Sequence, residues 1–465
     1  MLDAYPGSVP PRQDRASGAY AGSRGAALRS LFWLFAGPRI ASSAVQVLLL
    51  SAVGAVVSFA VQVILARSLG PSAFGIYLVA LAAMNVAVLP AKTEMDSAAL
   101  RYVPAYVEGE RWDLLRGFVH ASRRWVLGLS IAVATIGLLI ILWLGLGRVS
   151  GVVEARRPLV LACLLLFPTV FLITNSAILQ ALGWYTKAQL PQQLIRPLSF
   201  GLLLLVLPLL AGRPLTPDWA LGANLVASLL ALATAERWLR RALPAELDYS
   251  QPVYAARDWW KTGLALLAVA VAQMAMSPSV DLLLVGALRG PTASGLYGAA
   301  TQVAGLVDFG WNAVFFVTAP AISATFAGGG TAQLQELLRS INRTNLLLCL
   351  PLAAVAIVAG GVLLRLYGSV FLVALPVLVI LVIGQVVSGL IGAAAGYVMT
   401  MTEHQRPAAM ILTVLALGSV AVRFSLTAKY GIVGTALGAL LTAAGRSLIL
   451  AAYIRRKMKI NVLAF

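Results

Sequence analysis

Charge is what this chain is shortest of. Only 11% of its 465 residues are Asp, Glu, Lys or Arg, and 60% are hydrophobic. A water-soluble domain carries about 25% charged residues. The scarcity excludes a soluble globular protein and leaves an integral membrane protein. Cysteine and histidine are nearly absent, with two of each. Cys163 and Cys349 lie inside apolar runs and read as buried free thiols, while His120 and His404 fall near loops. These are too few ligands for a thiolate or imidazole metal centre. Acidic residues number 17 against 35 basic ones, a net charge of +18. In a membrane protein that excess belongs on cytoplasmic loops rather than on nucleic acid. Phosphate-binding GxxxxGK[ST], HExxH and GxSxG patterns are missing too. The reading is therefore of a non-enzyme without a cofactor, and one that does not itself hydrolyse ATP.

Long apolar runs are what the chain has instead. They fall at about 44–66, 75–99, 123–147, 158–182, 190–211, 217–239, 261–288, 295–320, 345–367, 371–400, 407–427 and 432–454. Each approaches or exceeds the ~20 residues a helix needs to span a bilayer. They are numbered spans 1 to 12 below. The runs do not alternate, so a β-barrel is excluded and an all-α polytopic membrane protein is expected. The first 25 residues are polar and rich in Gly, Pro, Ser and Arg, with no apolar segment of a cleavable signal, and read as a disordered tail. "AALRSLFWLF" (26–35) is too short to span and reads as a basic interfacial helix. The expected organisation is a basic cytoplasmic tail with that helix (1–40), a lobe of spans 1–6 (41–240), a linker (241–260), a lobe of spans 7–12 (261–456) and a basic tail (457–465). Placing both termini in the cytoplasm puts the larger share of cations inside, from Arg12 and Arg24 to the terminal "RRKMK". Arg67, Arg289, Arg423 and Lys429 then fall on the outer side.

The chain also writes one phrase twice. "GPSAFGIY" runs from Gly70 to Tyr77 and "GPTASGLY" from Gly290 to Tyr297, an offset of 290 − 70 = 220 residues. The first joins spans 1 and 2 and the second joins spans 7 and 8, six spans later. An even number of spans keeps both copies in one orientation, so the halves are parallel repeats about an axis along the membrane normal. Gly-Pro would make a tight outer turn, and the tyrosines would lie at headgroup depth. Residues 331–344 place Leu334, Leu337, Leu338 and Ile341 on one helical face. They are expected to form an amphipathic helix on the cytoplasmic surface, echoed by 108–124 in the first half.

Two six-span halves, "LARSLGPSAFGIY" (65–77) and "DLLLVGALRGPTASGLYGAA" (281–300) resemble the oligosaccharide (polysaccharide repeat-unit, Wzx-type) flippases of the multidrug/oligosaccharidyl-lipid/polysaccharide exporter superfamily. The resemblance covers nearly the whole chain after its tail, which is longer and more basic than the family leads one to expect. It implies two lobes, a central cavity and alternating access. It also implies a cargo of undecaprenyl-pyrophosphate-linked oligosaccharide moved across the inner membrane for polysaccharide or lipopolysaccharide synthesis, with polysaccharide polymerase and chain-length machinery as partners.

Ionisable and amide side chains inside spans are the candidates for function, because burying them in hydrocarbon is costly. Asn85, Lys92 and Asp96 follow an i, i+7, i+11 pattern on one helical face of span 2, with Pro90 above the Lys92–Asp96 pair. That pair faces either the cavity or the inner surface. Arg101 stands at the inner end of the same helix, Arg196 in span 5 and Arg446 in span 12. In span 8, Asp308 and Asn312 form an i, i+4 pair, and Asn312 aligns with Lys92 under the 220-residue offset. Asp281 lies beside Pro278 in span 7, where a carboxylate needs a partner, a proton or a cation. Asn85, Lys92, Arg101, Arg196, Asn312 and Arg446 are thus the expected cargo-binding set. Asp96, Asp281 and Asp308 are the expected groups for coupling to H+ or Na+. A drug/cation antiporter of the same superfamily and a membrane polysaccharide polymerase are the rival readings.

Overall fold

The computed structural model describes residues 38–146, 150–212, 214–327, 331–401 and 405–458, and some side chains, chiefly those of 308–332 and 391–409, lie outside that description. The basic tail, the expected interfacial helix at 26–35, the end of the C-terminal tail, His404 and the side chains of Asp308 and Asn312 therefore fall outside the described residues.

Among the described residues every regular element is helical. Eight helices are long and apolar enough to cross a membrane, and a ninth stretch is a bent pair, Ala256–Ala275 with Pro278–Val307, angled by 50°. Three of the nine cannot be single spans. Pro38–Lys92 has 55 residues, Pro278–Ala327 has 50 and Gln405–Met458 has 54. A straight helix of that length would run about 75–83 Å at ~1.5 Å per residue, against a hydrocarbon core of ~30 Å. Each breaks at a glycine of positive φ: Gly70 (72°), Gly290 (82°) and Gly431 (62°).

Contacts across the breaks prove reversal. Phe59 and Phe74 both pack on the ring of Tyr367, at 5.7 and 6.4 Å. Tyr297 reaches back to Asp281, 16 residues earlier, and Thr427 meets Thr435 at 2.8 Å. Only glycine adopts such φ values without strain. Pro71 and Pro291 follow as first residues of the next helix, where a missing N–H costs nothing. Nine stretches with three reversals make the twelve spans read from the sequence.

Spans 3–6 pack together in one bundle and spans 7–12 in a second; spans 1 and 2 join the first, through Val61 against Gly201 and Tyr77 stacked on Phe200 at 6.3 Å. The turn face carries Gly70, Gly290 and Gly431; the opposite face carries the longer connections. There the linker is pinned to the first bundle. Val253 N–H donates to the Asp113 carbonyl at 3.0 Å, and a side chain on Gly117 would overlap the Val253 carbonyl. Trp259 is fully buried, edge-on to Phe118 at 5.3 Å, and its indole N–H donates to the Tyr106 hydroxyl at 2.8 Å. Cys163 and Cys349 are free thiols, half-buried and buried.

Two expectations are corrected. Residues 331–344 are not a separate surface helix. Thr331–Val358 is continuous, with Leu338 and Ile341 buried. No glycine or proline interrupts the chain between 331 and 350, so the helix runs straight into span 9. Nor are Tyr77 and Tyr297 lipid-facing interfacial anchors. Both are buried, because each hydroxyl has a polar partner inside its own bundle.

Candidate functional site

The repeated phrase is where the bundles meet. A Cβ added to Gly75 would overlap the Pro291 carbonyl oxygen, and one added to Gly295 would overlap the Pro71 carbonyl oxygen. The contact is reciprocal under the 220-residue offset, as a near-two-fold axis through this point requires. Glycine is needed at both positions because two backbones touch there. Around it, Phe74 packs on Phe371 at 6.1 Å, and Arg67 Nε donates to the Leu366 carbonyl. The bundles are thus closed together on the turn face.

Below each repeated turn a tyrosine anchors a polar network. In the first bundle Asn224 Nδ2 donates to the Tyr77 hydroxyl at 3.2 Å. Arg196 Nε and Nη2 donate to Asn224 Oδ1 at 3.3 and 3.2 Å. Span 5 makes a π-helical turn at Pro191–Ile195 just before Arg196, a local widening that commonly marks a functional position. No carboxylate pairs with Arg196 among the described residues. Its hydrogen bonds among the described residues go to the neutral amide of Asn224.

The second bundle differs. Arg423 Nη1 donates to Asp281 Oδ1 at 2.7 Å and Tyr297 donates to Asp281 Oδ2 at 2.9 Å. Asp281 is 3% exposed and Arg423 1%. The contact is end-on, through one nitrogen, and Arg423 Nε has no partner. The 50° bend at the Met276–Ser277 break starts a new helix at Pro278 and puts Asp281 in its first turn. Negative charge is favoured at a helix N-terminus. Asp281 and Tyr297 line a cavity of about 220 Å³ inside this bundle, with Thr301, Gln385, Ser388 and Arg446. Gln385 Oε1 is buried there without a hydrogen-bond partner.

A third cluster lies at the opposite end of span 2. That helix stops at Lys92, Thr93 and Glu94 take positive φ (46° and 53°), and a new helix runs Met95–Glu108. The expected single face of Asn85, Lys92 and Asp96 is therefore broken. Asn85 is exposed on the helix before the break, while Lys92 reaches across it. Lys92 Nζ lies 2.6 Å from Glu94 and 2.8 Å from Asp96. One cation thus serves two carboxylates, and the cluster carries a net negative charge. Span 7 approaches the break at Gly263, where a Cβ would come within 2.7 Å of the Thr93 carbonyl. Arg101 is exposed, with its guanidinium 5.8 Å from the Tyr102 ring centroid.

The expected candidates thus separate into three places: Arg196 in the first bundle, Asp281 and Arg446 at the second-bundle cavity, and Lys92 with Asp96 at the far end of span 2. Sequence reasoning missed Arg423, assigned to the outer side, and also missed Asn224 and Glu94 as partners. A lone arginine in the apolar run 407–427 was the available signal for Arg423. Asn224 had the weaker signal of an amide in span 6.

No family model matches the chain, and no curated protein matches it. Solved structures do. A multidrug resistance MATE family transporter of the MOP superfamily, in an inward-facing conformation, superposes with a TM-score of 0.71 at 14% identity, covering 90% of this chain and 98% of that one. The lipid II flippase MurJ, in an inward closed conformation, gives 0.66 at 14% identity, covering 88% and 87%. A MOP superfamily transporter from Pyrococcus furiosus, described as having a binding pocket of reverse polarity, gives 0.59 at 15% identity, covering 95% and 99%. The chain is a multi-pass membrane protein with the MATE/MurJ-like transporter fold.

Proposed function

We propose that the chain is an alternating-access flippase for an anionic, lipid-linked oligosaccharide, its cargo bearing a pyrophosphate. One observation carries this reading. Arg196 is a half-buried guanidinium inside a span, and its hydrogen-bond partner among the described residues is the neutral Asn224, so its charge is available to an anion. A pyrophosphate crossing hydrocarbon unaided would meet a penalty of many kcal/mol, and a guanidinium binds its oxygens in a forked geometry. Asp281, which lines the second-bundle cavity, is already matched by Arg423 and offers little to a cationic drug. The likeness to a lipid flippase and to a transporter with reversed pocket polarity supports the same direction. In this reading the turn face is the outer face of an inner membrane, both termini are cytoplasmic, and the lipid chain stays in the bilayer beside the bundles. An ion gradient drives the cycle through the acidic cluster at Glu94 and Asp96.

That same cluster favours a second reading, an ion-coupled cation antiporter. Two acids sharing one lysine attract a cation. The test is to delete the protein and follow lipid-linked sugars. Complete repeat units trapped on the cytoplasmic leaflet, rescued by wild type but not by Arg196→Ala and only partly by Arg196→Lys, support the flippase. Unchanged lipid-linked sugars together with drug sensitivity would instead support the antiporter.

A further inference from the structure

We infer that Arg423 stands where a coupling cation would otherwise bind, a permanent tethered counter-charge that keeps Asp281 from taking an alkali cation. The term coupling rests on the transporter reading; the binding claim does not.

Asp281 has what an alkali-cation site would need. It is a buried carboxylate at the first turn of a broken span, beside a phenol oxygen and facing a cavity of about 220 Å³. At ~30 Å³ per water that is room for about seven waters. Hard cations take oxygen ligands of this kind. Both carboxylate oxygens are already engaged, however, one by Arg423 and one by Tyr297. Adding a dissolved cation would place two positive charges on one buried acid. Displacing the guanidinium would strand a buried arginine whose Nε already lacks a partner. Either event leaves an uncompensated charge in the bundle, and that is strongly unfavourable.

The arginine is also built in. Gly438 of span 12 faces its stem, and a Cβ there would lie 2.7 Å from Arg423 Cγ and 3.1 Å from its Cα. Thr427 donates to the Arg423 carbonyl at 2.6 Å and pairs with Thr435 across the turn. Arg289 holds the Thr427 and Ala428 carbonyls from the neighbouring turn. The backbone that carries Arg423 is thus held from three sides. In the first bundle the tyrosine partner is the neutral Asn224, so no equivalent acid needs a cation.

The test uses purified full-length protein in lipid nanodiscs. Its unfolding midpoint is compared in sodium chloride and in choline chloride at equal ionic strength, so that no cargo assay is involved. Wild type and Asp281→Asn should respond identically to the two salts. Arg423→Gln exposes the carboxylate and should gain a sodium-specific rise of roughly 2 °C or more. The double variant Asp281→Asn/Arg423→Gln should lose that rise. A sodium-specific rise in wild type that Asp281→Asn abolishes would overturn the inference. So would a folded Arg423→Gln protein indifferent to sodium. If Arg423→Gln does not fold in either salt, the wild-type and Asp281→Asn comparison still decides. Failure of the flippase reading would show only in the lipid-linked sugar assay and would leave this binding result standing.

Discussion

Tyr77 and Tyr297 stand at equivalent places below equivalent turns, yet one hydroxyl accepts from an amide and the other donates to a carboxylate. The arginines differ in the same way. Arg196 is half-buried and rests on Asn224; Arg423 is fully buried and locked to Asp281. Both halves have the same backbone device, a positive-φ glycine followed by proline, while the charges beneath it differ. Beneath the second turn the arginine is paired with an acid. Beneath the first, Arg196 has no carboxylate partner among the described residues. Under the function proposed above, the first bundle is the one suited to holding an anion, and the charge of the second is used internally.

The sharpest way to break this contrast is to remove one charge from each bundle. Arg423→Gln or Asp281→Asn leaves a buried ion alone and should destabilise the protein by about 3–5 kcal/mol. Arg196→Gln strands no ion and should cost far less. Denaturant unfolding of the three variants in one lipid environment checks this, and equal losses would end the claimed asymmetry. Arg196→Gln should nonetheless abolish most cargo movement, measured as lipid-linked sugar reaching the outer leaflet.

The turn-face contact should instead treat the bundles alike. Gly75→Ala and Gly295→Ala each push a methyl group into the opposing carbonyl, an overpacking cost of about 1–3 kcal/mol when the bundles are closed together. Both should shift the population toward separation on the turn face. Spin labels at Ser72 and Thr292 would show longer distances in both variants. A shift in only one would contradict the reciprocal contact.

The smallest effect concerns the tyrosines. A hydrogen bond to a charged group contributes about 1.5–3 kcal/mol and one between neutral groups about 0.5–1.5. Tyr297→Phe should therefore cost about 1 kcal/mol more than Tyr77→Phe. Parallel melting curves would resolve that difference, and equality would mean that Arg423 alone satisfies Asp281.

Much of this was legible in the residues themselves. The apolar runs located the spans because each bilayer crossing must bury a full length of backbone, and "GPSAFGIY" against "GPTASGLY" located the equivalent turns. Asp281 was recognisable as an acid that had to find a partner. Its partner was not recognisable. Asp281 and Arg423 are 142 residues apart, and nothing local to either specifies that spans 7 and 11 are neighbours. The interruption after Lys92 was hidden too. Pro90 suggested a bend, but the break falls at Thr93 and Glu94, whose positive φ accompanies close packing against Gly263 of span 7.

Hydropathy, run length and a gap-free repeat are enough to specify the bilayer as solvent, the crossings and the correspondence of the two turns. What the buried charges do depends on how the helices pack. A carboxylate's role depends on what lies within about 3 Å, and that distance is set by helix packing, not by position along the chain. Asp281 meets Arg423 because Gly438 leaves room for the arginine stem. Among the described residues Arg196 meets no acid, because Asn224 occupies the place beside Tyr77.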